Sequence, residues 1–137
     1  MSTFAKRLPP ILHQDTIYLC ERSIHSSFHV FGKLLDLPKE EQFMLEQIYN
    51  GYVEGSSVKG IIYIQSSVKD CFRKARLRNF SSDKLLTEEY LTKVEIMYMD
   101  WLKKTHIPVF HIKDSEIGNT PIKEVLTEAF DVFDMLI

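Results

Sequence analysis

The 137-residue sequence is 45% hydrophobic and 26% charged with a formal net charge of -2, the makeup of one globular domain around a single core. So small a charge supplies no overall field toward a nucleic acid polymer or an anionic membrane, and the apolar runs fall far short of the ~20 residues that span a bilayer. The cysteines Cys20 and Cys71 stand far apart in sequence and in apolar surroundings, a pattern that predicts two buried thiols in a reducing, intracellular compartment rather than a disulfide framework or zinc site.

The first residues are weakly patterned; Met1 to Leu8 has basic residues but no apolar segment after them, so no secretory signal is expected, and Pro9-Pro10 stops any helix. The run Ile17-Tyr18-Leu19-Cys20 predicts a buried strand, ending at Glu21-Arg22-Ser23. Ile24, Phe28, Phe31 and Leu35 then fall at helical spacing. Pro38 with Glu40 and Glu41 opens a second helix, whose apolar surface is Phe43, Leu45, Ile48, Tyr49 and Tyr52 and which Gly55-Ser56-Ser57 ends.

Gly60-Ile61-Ile62-Tyr63-Ile64 reads as a strand buried on both faces. Ser67 with Asp70 three residues on is a helix N-cap pattern, and the helix it opens carries Arg73, Lys74, Arg76 and Arg78. After a break from Asn79 to Leu85, Thr87 caps a long helix with the core stripe Leu91, Val94, Tyr98, Trp101 and Leu102. Pro108 to Ile112 is the third strand, and Thr120-Pro121 opens a last helix with Ile122, Val125, Leu126, Ala129 and Phe133 facing inward. Strands alternating with helices predict an α/β fold, a three-layer parallel sheet of about three strands flanked by helices, in one domain over residues 1–137.

Ligands of open parallel sheets bind at the carboxyl ends of the strands, where Glu21 and Arg22 fall. A carboxylate and a guanidinium there can hold a hydroxyl and a phosphate, or can form an ion pair tying strand to helix. The basic residues Arg73, Lys74, Arg76 and Arg78 cannot all face one side. Part of the set could close over a phosphate, and the alternative is a solvated face compensating the helix dipole. His25 and His29 stand at metal-ligand spacing but without a third ligand, so no metal site is expected and packed or surface histidines are the reading.

Tyr18 to Ser26, read as strand plus Glu21-Arg22-Ser23, resembles a segment of the deoxynucleoside kinases. Gly60 to Gln65 resembles their next strand, and Cys71 through Glu89-Tyr90-Leu91 to Trp101-Leu102 resembles their lid region. The likeness runs in order from about residue 17 to 137. It implies a truncated P-loop kinase-like domain of nucleotide salvage, cytoplasmic or mitochondrial, dimeric through helices, that phosphorylates the 5′-hydroxyl of a deoxynucleoside with ATP and Mg2+. By this resemblance Glu21 and Arg22 are catalytic and organise the 5′ end of the substrate and the transferring phosphoryl group. Arg78 and the nearby Lys74 serve the phosphate and lid, Asp83 reaches the sugar 3′-hydroxyl, and Ser27 takes the base-reading position in its small, thymidine-accepting form.

The sequence also departs from the family. Its lid reads Arg78-Asn79-Phe80-Ser81-Ser82-Asp83 in place of R-x-R-x-E-E, with Phe80 at the second lid arginine, and Phe28 replaces the arginine that follows the base-reading position. No G-x-x-x-x-G-K-[ST] occurs; Gly55 and Gly60 are spaced for one, but Ile61-Ile62 follow and the stretch precedes a strand. The phosphate loop, the catalytic base and the family's first strand would precede this sequence, so an inactive chain is expected, or alternatively a non-catalytic binding or structural subunit derived from a kinase.

Overall fold

The structure, a computed structural model, describes residues 16–54 and 58–134. The chain divides into two compact units, Met1–Ser56 and Ser57–Ile137.

In the first unit, residues 16–20 form no strand, and this corrects the expectation of a buried strand at residues 17–20. A strand exists only where its N–H and C=O groups find a neighbour, and among the described residues none pairs with this segment. Ile17, Leu19 and Cys20 are consequently exposed, so Cys20 is not the buried thiol expected. Arg22 adopts a left-handed backbone, φ 64, and turns the chain into α1 (Ile24–Ser26).

This turn of α-helix widens at once into a π-helix, Ser27–Gly32, rather than the regular helix that the apolar spacing predicted. Gly32 permits the wider turn, because a Cβ there would stand 3.1 Å from the Ser27 carbonyl oxygen and 3.1 Å from the Leu45 side chain. Ile24 and Val30 are buried, and the stretch packs against α2 (Lys39–Glu54). Pro38 lies just before that helix and accepts from the Gln42 N–H at 2.9 Å. Helix α2 buries no residue of its own, and Phe43, Met44, Ile48 and Tyr52 stay exposed. The expected stop at Gly55-Ser56-Ser57 lies outside the described residues.

The second unit is built on β1 (Ile61–Gln65) and β2 (Val109–Lys113), paired in parallel from Ile61↔Val109 to Gln65↔Lys113. Among the described residues they form a two-stranded sheet flanked by helices, so the α/β architecture holds with two of the about three strands expected. With one neighbour each, the strands are only partly covered; Ile112 is buried, but Ile64 is 51% exposed, so β1 is not buried on both faces.

Between the strands run α3 (Val68–Arg78) and α4 (Glu88–Lys104), which pack on each other. Both start as the sequence predicts. Ser67 accepts from the Asp70 N–H and Thr87 from the Tyr90 N–H, each at 3.1 Å, supplying partners for donors that a helix start leaves unpaired. Asn79 ends α3 in the left-handed conformation, φ 54, which asparagine tolerates better than most residues. A 3-10 turn, Ser81–Asp83, leads to α4, whose inward stripe culminates in the buried Trp101.

After β2 come a single turn, α5 (Asp114–Ile117), and α6 (Ile122–Val132), which packs on β2. Pro121 is the cap of α6 and not its first helical residue. Val125, Ala129 and Phe130 are buried, whereas Ile122, expected inside, is exposed in the first turn; burial begins one turn later.

Gly60 sits directly before β1, and a Cβ there would fall 2.4 Å from the Phe133 ring. The ring thus packs flush on glycine backbone and holds the end of α6 near the start of the sheet. Gly60→Val is expected to destabilise the chain by about 1–3 kcal/mol through overpacking, measured as a lowered midpoint in urea unfolding with an unchanged slope.

Candidate functional site

The parallel pair ends at Gln65 and Lys113, and beyond those carboxyl ends lies a crevice of about 660 Å³ lined by Ser66, Ser67, Lys69, Asp70, Arg73, Lys74, Glu95, Asp114 and Ser115 as well as the two strand termini. This is where open α/β sheets hold ligands. The N-terminal turn of α3 forms part of its wall, contributing amide N–H groups to the same region as Lys69 and Arg73. Arg73 lies 3.7 Å from Asp70. Lys74 pairs with Asp114, linking α3 to the turn that follows β2.

That pairing raises the Lys74 pKa, through the hydrogen bond first and then the Asp114 charge. Hydrogen bonds from Lys74 and then Ser66 hold the Asp114 carboxyl below its usual range. Burial pushes the Cys71 thiol up, with Lys74 and a hydrogen bond from Ser66 opposing, so Cys71 stays a thiol and is not an activated nucleophile. It is half-buried rather than fully buried as expected. The crevice offers cations, hydroxyls and carboxylates together, which suits a ligand carrying both phosphate and hydroxyl groups.

Lys74 therefore belongs to the crevice, while Arg78, the last residue of α3, pairs with Asp83 of the arm over residues 79–86. There Arg78 donates from Nε at 2.9 Å and from a terminal nitrogen at 2.7 Å to the same Asp83 oxygen. The Asp83 side chain is 14% exposed and that of Arg78 54%. The guanidinium also lies over the Phe80 ring, 4.8 Å from its centroid. Two residues assigned separate roles from the sequence thus meet as one ion pair.

Arg76, in the last turn of α3, ties this arm to the helix, whereas the sequence leaves it open between a phosphate contact and a solvated face. It lies over Phe72 at 4.7 Å and donates to the carbonyls of Lys84 (3.4 Å) and Leu86 (3.1 Å). The two terminal nitrogens of the guanidinium fork each reach one carbonyl. No local spacing announces it, because its partners are backbone oxygens.

In the first unit the helix start organises Ser23, Ser26 and Ser27. The Ser26 hydroxyl accepts from the Ser23 N–H at 3.2 Å and donates to the Ser23 carbonyl at 3.0 Å, and the Ser27 hydroxyl donates to that carbonyl at 3.2 Å. Ser27 thereby points its proton at backbone and keeps an oxygen able to accept. Arg22 lies over the Phe31 ring at 5.0 Å, and among the described residues no ion pair joins it to Glu21. Glu21 is exposed.

His25 and His29 converge on a partner that the sequence reading did not foresee. His25 Nδ1 and His29 Nε2 each stand 2.9 Å from the Tyr49 hydroxyl, and Phe28 stacks on the Tyr49 ring at 4.2 Å and 7°. Burial lowers the pKa of both histidines, with the charges of His25 and Lys33 adding to the effect at His29, and burial raises that of Tyr49. Among the described residues no three His, Cys, Asp or Glu side chains come together to hold a metal ion.

Among the described residues no helix is long and apolar enough to cross a membrane. The family model described as deoxynucleoside kinase matches residues 1–133. The chain is similar to mitochondrial deoxyguanosine kinase of Xenopus laevis, 26% identical over 104 residues, which is 70% of this chain and 39% of that protein. It is similar to mitochondrial thymidine kinase 2 of Homo sapiens, 25% identical over 66% of this chain and 36% of that protein, and to its counterpart in Macaca fascicularis, 24% identical over the same shares. The matched stretches thus span less than half the length of these curated relatives.

The Arg76 fork carries a direct consequence. Arg76→Ala is expected to raise amide hydrogen exchange severalfold over residues 79–86 while leaving β1 and β2 protected, as read by peptide-level mass spectrometry.

Proposed function

Because this chain belongs to the deoxynucleoside kinase family, we propose that it is the substrate- and lid-bearing portion of one kinase-like domain over residues 1–137. In its complete form that domain transfers a phosphoryl group from ATP to the 5′-hydroxyl of a deoxynucleoside. The observation that carries this reading is the family match across residues 1–133. The names of the similar proteins, a deoxyguanosine kinase and a thymidine kinase, agree with the substrate class.

In this reading the Glu21 carboxylate orients the 5′-hydroxyl and Arg22 compensates the transferring phosphoryl group. Ser27, small and with an accepting oxygen, lies against the base and favours thymidine. Arg78 gives up Asp83 for a phosphate, freeing Asp83 for the sugar 3′-hydroxyl, and Lys74 supports the phosphate side. The exposed apolar face of α2 supports pairing of two copies through helices, and the mitochondrial relatives support an intracellular, cytoplasmic or mitochondrial, setting.

ATP and Mg2+ fit this sequence poorly. No G-x-x-x-x-G-K-[ST] is present to wrap a triphosphate in amide N–H groups and to supply the metal-linked hydroxyl, and no magnesium step is derived for these residues. Loss of one oxyanion-type donor costs roughly 10²–10³ in rate, and the loop supplies several. The 137-residue chain is therefore inactive alone. Supplied with ATP, magnesium and thymidine, deoxycytidine or deoxyguanosine, it is expected to form no monophosphate; turnover of ~1–10³ s⁻¹, the usual enzyme range, would overturn the reading.

A second reading, a non-catalytic binding subunit derived from a kinase, is favoured by the lid itself. Phe80 stands where the family places a second arginine, and it serves as a platform for Arg78. The readings separate on the coding sequence upstream of Met1, where an in-frame phosphate loop favours the enzyme and a stop codon the subunit. Under both, Arg22→Ala is expected to weaken binding of a deoxynucleoside monophosphate by about tenfold, the ~1.5 kcal/mol of a charge-assisted hydrogen bond, in calorimetry; unchanged affinity would remove Arg22 from the site.

A further inference from the structure

A phosphate that enters the crevice finds a carboxylate already at Lys74. Asp114, the first residue after β2, pairs with Lys74 of α3 and accepts a hydrogen bond from Ser66, just past the end of β1. One carboxylate thus gathers an ammonium group and a hydroxyl from two other segments of the crevice wall, a donor set that also suits a phosphate oxygen. Of the two ion pairs in the crevice among the described residues, Arg73–Asp70 lies within α3 and Lys74–Asp114 spans from α3 to the turn after β2.

The spanning pair is open to solvent, with 54% of the Lys74 side chain and 36% of the Asp114 side chain exposed, so it contributes little to folding and an anion can reach it. Hydrogen bonding to Asp114 raises the Lys74 pKa, and Lys74 and then Ser66 hold Asp114 below its usual range, so both groups are charged at neutral pH. A lysine has three N–H donors, and an incoming phosphate has two routes to it. It shares the ammonium with a like charge at contact distance, or it displaces Asp114 and takes on the loss of that pair. Both routes lower its affinity.

We propose that Asp114 is a built-in counter-anion that sets, by holding it down, the affinity of the crevice for a phosphate at Lys74. This role presupposes that Lys74 serves the phosphate side. Lys69 and Lys113 line the same crevice and join no ion pair among the described residues, so a chain of phosphates is the anion with most to hold it there.

The test is an NMR titration of the full chain with inorganic tripolyphosphate at neutral pH, without metal, following the backbone amides of residues 65–70 and 113–116. Asp114→Asn keeps the side-chain length and an accepting oxygen for Lys74 and Ser66 but removes the charge. It is expected to bind the probe about fivefold more tightly, the effect of one unit charge at contact in water. Adding Lys74→Met to that variant is expected to abolish the gain. An Asp114 with a purely structural role would leave affinity unchanged or lower it on substitution, and either result overturns the proposal, as does a gain that survives Lys74→Met. Equal binding by the unmodified chain and Asp114→Asn that Lys74→Met removes would overturn the counter-anion and leave Lys74 at the phosphate; no binding by any of these chains would overturn both. Should Asp114→Asn fail to fold, Asp114→Ser gives the same comparison, since it keeps a hydrogen-bonding oxygen without the charge.

Discussion

Parallel pairing of β1 with β2 is the constraint from which the second unit takes its form. Parallel neighbours cannot be joined by a tight turn, so the chain must leave the carboxyl end of β1 and return to the amino end of β2. The return path consists of α3, the arm over residues 79–86 and α4. Every charged group of the crevice and the arm sits on that path or at or just past the strand ends. Moving the register by a residue would turn the faces of one strand over relative to the other and would part Gln65 from Lys113 at the mouth they define.

The parts of the fold legible in the sequence were those with a local cause. Ser67 and Thr87 mark helix starts because a short side-chain oxygen next to unpaired amides has an immediate partner, and both caps form. The apolar stripe ending in Trp101 is likewise a matter of spacing along one helix. The segment at residues 17–20 looked equally clear by composition, yet a strand is a relation between two chain segments, and composition cannot supply the second one. The π-helix at Ser27–Gly32 escaped for a related reason, since apolar spacing does not report the widened turn that Gly32 allows.

The candidate site divides along the same line. Residue types at strand and helix ends were visible, and Arg78 and Asp83 do lie together. Their direct pairing was not visible, because the distance between them depends on the left-handed turn at Asn79. Arg76 and Tyr49 escaped notice because their partners are backbone carbonyls in one case and side chains 24 and 20 residues away in the other. The same contacts alter how the basic helix is understood. Lys74, Arg76 and Arg78 each have an assigned partner within the chain, so an incoming anion meets a surface whose charges are already engaged, and its affinity depends on exchange rather than on net charge.

The backbone at Arg22 sets two demands against each other. A φ of 64 puts an L-residue where its Cβ crowds the following carbonyl, at roughly 1–2 kcal/mol, a strain that glycine would relieve. Relief by glycine would erase the guanidinium that sits over Phe31. Thermal robustness and charge at this corner are therefore antagonists, and a descendant with no further use for the cation could exchange it for glycine and become the sturdier protein.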